Sequence, residues 1–181
     1  NYAEDDYDNS IYGLTFSRVS SYNVDVAWAP SAGIAAYAFA SEERYKNDQD
    51  GHSFVNGATR PVSAFDPNRD WNTRSRDYVF TYGAGFNSKF LEDKLTLGFD
   101  YVNSAADTNI RTTVGTSLLR ADLPPSTSDL SSASFYGDYR WRRDISFHLR
   151  FEYEHFNSTD WAVDNVPANQ LANMILLGES S

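Results

Sequence analysis

Three groups of residues have the types and spacing to do chemistry. His148, Arg150, Glu152 and Glu154 occupy every second position of "DISFHLRFEYEHF", residues 144–156. Alternate residues of an extended strand share a face. An acid, a base and a cation would therefore stand in one row, the makings of general acid–base catalysis. The same row also reads as a hydrated, partly charge-compensated surface, and that reading is favoured because a single strand encloses no pocket. The stretch "NDQDGHS" (47–53) spaces Asp48, Asp50 and Gly51 in a way that resembles a calcium loop. The Glu that closes an EF-hand is missing, so a polar surface loop is the favoured reading and a weak Ca²⁺ site the alternative. His52, His148 and His155 show no metal-ligand spacing, and there is no Cys. That excludes a disulfide framework, a zinc knuckle, a thiol nucleophile and covalent haem attachment through Cys-x-x-Cys-His. No nucleophile-elbow, zincin or phosphate-loop motif occurs. We expect no catalytic residues, no metal site and no enzyme.

What, then, positions these side chains? The other face of 144–156 carries Ile145, Phe147, Leu149, Phe151 and Tyr153. A soluble sheet turns such a face to a core and its charges to bulk water. A membrane barrel turns the apolar face to lipid and the charges to an internal lumen. Five more segments alternate: "SYNVDVAW" (21–28), "IAAYAFASEERY" (34–45), "DYVFTYGAGF" (77–86), "LTLGFDY" (95–101) and "ASFYGDYRW" (133–141). Turn residues at Pro30–Gly33, Glu92–Lys94 and Arg142–Asp144 join them into hairpins over about 17–46, 76–103 and 131–157. Between hairpins lie long polar stretches, 47–75 and 103–131, rich in Asn, Asp, Ser, Thr, Gly and Pro. Short turns on one side and long loops on the other are the outer-membrane barrel pattern. The segments are also longer than the ~5–6 residues of a soluble strand.

Composition agrees. A formal net charge of -10 argues against a nucleic-acid binder, which needs a basic patch. The 12 Tyr and 4 Trp suit a membrane–water boundary. Trp28, Phe86 and Trp141 fall at the short-turn ends, and Tyr45, Tyr101 and Tyr153 toward the long-loop ends, as two aromatic girdles would. No apolar run reaches the ~18 residues of a transmembrane helix. The expected fold is all-β: an antiparallel meander of about six long strands. Six strands are too few to close such a barrel, so residues 1–181 are expected to be a single partial domain, one piece of a large transmembrane β-barrel. Both ends read as cuts within something larger. Residues 158–181 read as a C-terminal loop segment, with 170–180 a short helix or loop. The glycosylation-type triplet Asn157-Ser158-Thr159 reads as accidental in a bacterial barrel.

Two stretches carry a family resemblance. "DYDNSIYGLTFSRVSSYNVDVAWAPSAGIAAYAFASEE" (5–43) has an Asp-Tyr…Ser…Gly-Leu-Thr…Ser-Arg lead-in, a strand ending in Pro, and then "AYAFASEE". "STDWAVDNVPANQLANMILLGESS" (158–181) has Asp160-Trp161, a Val-Pro step and a Leu-Gly-Glu-Ser ending. Both resemble the MtrB/PioB-type decahaem-associated outer-membrane β-barrel family, of which this chain would be a C-terminal fragment. The resemblance implies a sheath in the bacterial outer membrane. Such a barrel surrounds a multihaem c-type cytochrome that carries electrons across the outer membrane, with or without a second cytochrome outside the cell. It binds no haem itself; the haem belongs to the partner.

In this reading the lumen-facing residues are Asp25, Asp100, Asp138, Arg140, His148, Arg150, Glu152 and Glu154. Small residues are also expected on the lumen side: Ala36, Ala38, Ala40, Gly83, Gly85 and Gly98. They either let another backbone approach closely or simply permit sheet curvature. The alternatives to the sheath are a general or substrate-specific porin, which shares the fold, and a soluble β-sandwich binding module.

Overall fold

The computed structural model describes residues 1–7, 11–53, 66–118 and 124–159. They form one seven-stranded antiparallel sheet in strict sequence order. Its strands are β1 (Tyr2–Asp6), β2 (Gly13–Ser31), β3 (Ile34–His52), β4 (Asp70–Phe90), β5 (Leu95–Val114), β6 (Ser126–Arg140) and β7 (Ser146–Thr159). A 3₁₀ turn, Pro67–Arg69, leads into β4 and is capped by the Asp66 carboxylate, which accepts from the Asn68 backbone N–H at 3.0 Å. β1 is an addition to the six expected strands. Its sequence, "YAEDD", is polar on both faces and carries no alternation to signal it.

The sheet is a single layer. Among the described residues no hydrophobic side chain is buried. Large apolar residues stand exposed instead, among them Val24 at 67% and Leu149 at 66%. Among the described residues no second sheet packs on them. An apolar face of this extent needs an apolar environment, since exposed patches of more than a few hundred Å² are rare on soluble monomers.

Register decides which residues share a face, because directly opposed residues of neighbouring strands project to the same side. One row runs Trp28, Ala36, Phe86, Phe99, Phe135, Phe151 across β2 to β7. Two residues along, the next reads Val26, Ala38, Ala84, Tyr101, Ala133, Tyr153. These rows make one apolar face. On β2 the apolar run rises from Trp28 to Tyr22, while on β7 it starts below the Phe151 row, at Phe147. The band thus descends across the sheet, as tilted strands in a barrel require.

The strands overrun the expected segments. β2, β3, β4 and β5 have 19, 19, 21 and 20 residues, about twice what a tilted strand needs to cross a bilayer. Within the stretches 47–75 and 103–131, expected as loops, residues 47–52, 70–75, 103–114 and 126–131 are strand: β3 and β4 pair as far as His52 and Asp70, and β4 and β5 as far as Trp71 and Val114. Beyond the apolar band both faces are polar, so the period-two signal is lost while the backbone ladder continues. Cross-strand side chains hold this part. Arg76 pairs with Asp48 at 2.6 Å, Asn72 donates to Asp50 at 2.5 Å, and Thr73 and Thr112 share a hydrogen bond at 3.2 Å.

The short connections fall where expected. β2 and β3 join through Ala32-Gly33, and β4 and β5 through Leu91–Lys94, where Leu91, Glu92 and Asp93 all take positive φ of 55° to 64°. In the Trp141–Ile145 connection, Trp141 packs on Phe147 at 6.4 Å and the Arg142 guanidinium lies 4.6 Å from the Trp141 ring centre. Residues 160–181, with Asp160-Trp161 and the 170–180 segment, lie outside the described residues. Ser158 and Thr159 belong to β7 rather than to a loop.

Candidate functional site

The polar face is the candidate site, and register builds it. Asp25 on β2 opposes Phe39 on β3. Asp100 on β5 opposes Gly85 on β4 and Ser134 on β6. Asp138 and Arg140 on β6 oppose His148 and Ser146 on β7, and Glu152 and Glu154 oppose Ser134 and Ser132. Following these pairs strand by strand, all eight residues singled out from the sequence share the face opposite the phenylalanine row.

They do not converge on one point. On β6 and β7 the Asp138 carboxylate bonds the His148 ring and Arg150 lies 3.5 Å from Glu152, an open ionic ladder beside Tyr136. His148, Arg150 and Glu152 side chains remain 71%, 65% and 56% exposed. The depression lined by Tyr136, Asp138, His148, Leu149 and Arg150 is open. An acid and a base held in open water have neither desolvation nor a substrate seat, so the ladder is poorly built for catalysis. Asp25 and Asp100 stand apart on other strands.

The reading of 47–53 as a surface loop is corrected. Asp48 and Asp50 lie in a strand, not a loop, and are engaged by Arg76 and Asn72. His52 pairs with Asp70 at 2.6 Å, and its ring lies 5.9 Å from Tyr12. Among the described residues no group of three or more His, Asp or Glu could hold a metal.

Three aromatic residues on the polar face escaped the sequence reading. Tyr37, Phe39 and Tyr136 each oppose a glycine directly: Gly85, Gly83 and Gly98. Each ring occupies the space a side chain would take there. A Cβ on Gly98 would lie 2.1 Å from the Tyr136 ring, on Gly85 2.5 Å from the Tyr37 ring, and on Gly83 2.6 Å from the Phe39 ring. Rings seated over cross-strand glycines are a known means of pinning register. Trp71 covers Gly51 in the same way beyond the band. The Tyr37 hydroxyl also reaches across β4 to donate to Asp100 at 2.8 Å. The Tyr37 and Phe39 rings lie side by side, 6.4 Å apart and 12° from parallel.

This arrangement reverses one expectation. Ala36, Ala38 and Ala40 lie on the apolar face beside Trp28, Val26 and Val24, not with the charges; only Gly83, Gly85 and Gly98 of the small residues lie on the polar face. The cause is a register shift between Trp28 and Ser31. Without it, the two-residue turn would set Tyr37 and Phe39 opposite Trp28 and Val26. One residue of slip moves every side chain of β3 to the other face. Tyr45 moves with them: it lies on the polar face opposite Asp77 and donates to Glu43 at 2.6 Å, so it is not part of an outer girdle. Aromatics and glycines recurring at alternate positions of "AYAFA" and "TYGAGF" are the signal for such seats in the sequence, while the register shift decides which ring meets which glycine.

Comparison with known proteins places this geometry. Over residues 1–181 the chain matches the MtrB/PioB family, described as outer membrane beta-barrel porins. It is 24% identical over 181 residues to Outer membrane protein MtrB of Shewanella baltica (strain OS185), a match covering 99% of this chain and 24% of that protein. The chain thus spans about a quarter of the length of this relative. A one-layer meander with an unbroken apolar face, matched along its whole length to that family, belongs to the MtrB/PioB outer-membrane β-barrels and has its place in the bacterial outer membrane.

Proposed function

We propose that the chain forms one sector of a barrel wall that sheathes a multihaem c-type cytochrome and positions it for electron transfer across the outer membrane. The observation that carries this reading is the division of the sheet. The phenylalanine row and its neighbours cover one face, and Asp25, Asp100, Asp138, Arg140, His148, Arg150, Glu152 and Glu154 occupy the other. The apolar face meets lipid and the charged face lines the lumen. The short turns then mark the periplasmic side, and the polar halves of β3, β4 and β5 stand outside the cell. The family resemblance supplies the occupant. A wall whose rings lie over glycines has low relief at those seats, which suits a folded protein packed close against it. The chain's own residues do no redox chemistry in this reading; they exclude lipid and hold the occupant. Haem stays on the partner, with or without a second cytochrome outside.

A porin is the second reading, favoured by the exposure of the β6–β7 ladder, which a water-filled channel would also show. Purification of the intact protein in mild detergent separates the two. The sheath predicts co-purifying haem absorbance and little ion conductance in planar bilayers. An open, ion-conducting pore with no haem protein attached would overturn it.

A further inference from the structure

The polar face carries an aromatic strip with an unanswered charge beside it. Phe39 and Tyr37 lie side by side on β3, and Tyr136 sits over Gly98 two strands beyond Gly85. Asp100 lies between them, engaged by the Tyr37 hydroxyl at 2.8 Å. Asp25, directly opposite Phe39, is exposed and has no hydrogen-bond or ion-pair partner among the described residues. Its neighbours on this face of β2 are Asn23 and Ala27, and on β3 they are Tyr37, Phe39 and Ser41. None is cationic. On the part of β4 and β5 facing the strip, the residues are Thr81, Gly83, Gly85, Gly98, Asp100 and Val102. All of this lies at the height of the apolar band, behind Ala36, Ala38 and Ala40, where bulk water is limited to what the lumen admits.

Aromatic rings flanked by carboxylates suit a cation with an apolar stem. A guanidinium or ammonium can stack on the ring faces and reach a carboxylate at the same time. Tyr and Arg anchors at the centre of a patch dominate protein interfaces. We propose that Phe39, Tyr37 and Tyr136, with Asp25 and Asp100, form the contact on which a Lys- or Arg-bearing segment of the enclosed protein docks. This rests on the sheath reading. It assigns the strip, rather than the β6–β7 ladder, as the anchor. In the ladder, Asp138 and Glu152 already have His148 and Arg150 beside them.

The test uses the intact outer-membrane protein, purified with its haem partner, and reads the ratio of haem absorbance to barrel protein. The Asp25 side chain makes no hydrogen bond or ion pair among the described residues, so Asp25→Asn and Asp25→Lys leave barrel folding intact, as checked by heat-modifiable mobility in gels. The expected result is about a tenfold weaker retention of the haem protein for Asp25→Lys. Asp25→Asn should flatten the salt dependence of retention. Glu92→Lys, in the short turn between β4 and β5 and outside the polar face, should behave as wild type. If Asp25→Lys retains haem protein as the wild type does at every salt concentration, the docking contact is wrong while the sheath stands. If the wild-type barrel retains no haem protein at all, the sheath reading fails, and this inference with it.

Discussion

At the scale of the residue, the glycine seats are the most constrained positions of the polar face. A side chain at Gly85 would strike both the Asp100 carboxylate, 2.3 Å from the added Cβ, and the Tyr37 ring. Gly85→Val should destabilise the sheet by about 1–3 kcal/mol, the usual cost of overpacking, measured by urea unfolding in detergent. Gly33 is a control, since its added Cβ would meet nothing nearer than the Lys89 carbonyl at 3.4 Å. Gly33→Ala should unfold at the same urea concentration as wild type. Tyr37→Phe keeps the seat filled but loses the bond to Asp100, a loss of about 1 kcal/mol. These seats were legible only in part. The glycines and aromatics stand in plain view in "TYGAGF" and "AYAFA", but nothing local says which ring opposes which glycine.

At the scale of the element, β1 and the outer halves of β3, β4 and β5 answer to water rather than lipid. β1 pairs with Phe16–Ser20, beyond the apolar band. Its Glu4 carboxyl is held below the ordinary carboxylate range, chiefly by the Tyr2 hydroxyl that donates to it and further by Arg18 at 2.5 Å, against a smaller opposing effect of desolvation. A depressed pKa stabilises the folded strand above the unfolded carboxylate's pKa, and this contribution is lost as pH falls through the folded value. Protease protection of β1 should therefore hold near neutrality and decline in acid, and Glu4→Gln should abolish the decline. Arg76 and Asp48 are only partly exposed, at 38% and 22%, yet they are water-facing, so Arg76→Ala should cost about 1 kcal/mol or less. The hairpins themselves were legible from alternation and turn residues. The outer strand halves were not, because outside lipid neither face has to be apolar and the pattern that marks a strand disappears.

At the scale of the whole molecule, the sheet has two environments and, among the described residues, no buried hydrophobic core. Leu149→Arg, on the phenylalanine side, should cost about 2–4 kcal/mol of folding stability in lipid vesicles if it sits near the bilayer midplane. Glu152→Gln, one strand face away, should cost far less. Labels read with a lipid-soluble quencher test the register directly. Quenching is expected at positions 38, 147 and 149, and protection at 39, 148 and 150. Quenching at 39 with protection at 38 would restore the register that the sequence suggested and remove the aromatic strip from the lumen.

The amino-acid sequence by itself determined the all-β class, the three hairpins, the short turns and the separation of charged from apolar positions within each strand. These follow from a period of two and from turn chemistry, both local properties of the chain. Only the tertiary structure decided which face of β3 joins which face of β2, how far the strands run beyond the apolar band, and that β1 exists. Within the apolar band, the register of β2 against β3 depends on the shift after Trp28, and a one-residue slip leaves the pattern within each strand unchanged while exchanging everything it faces. For that reason Asp25 could be picked out from the sequence, but the rings beside it could not.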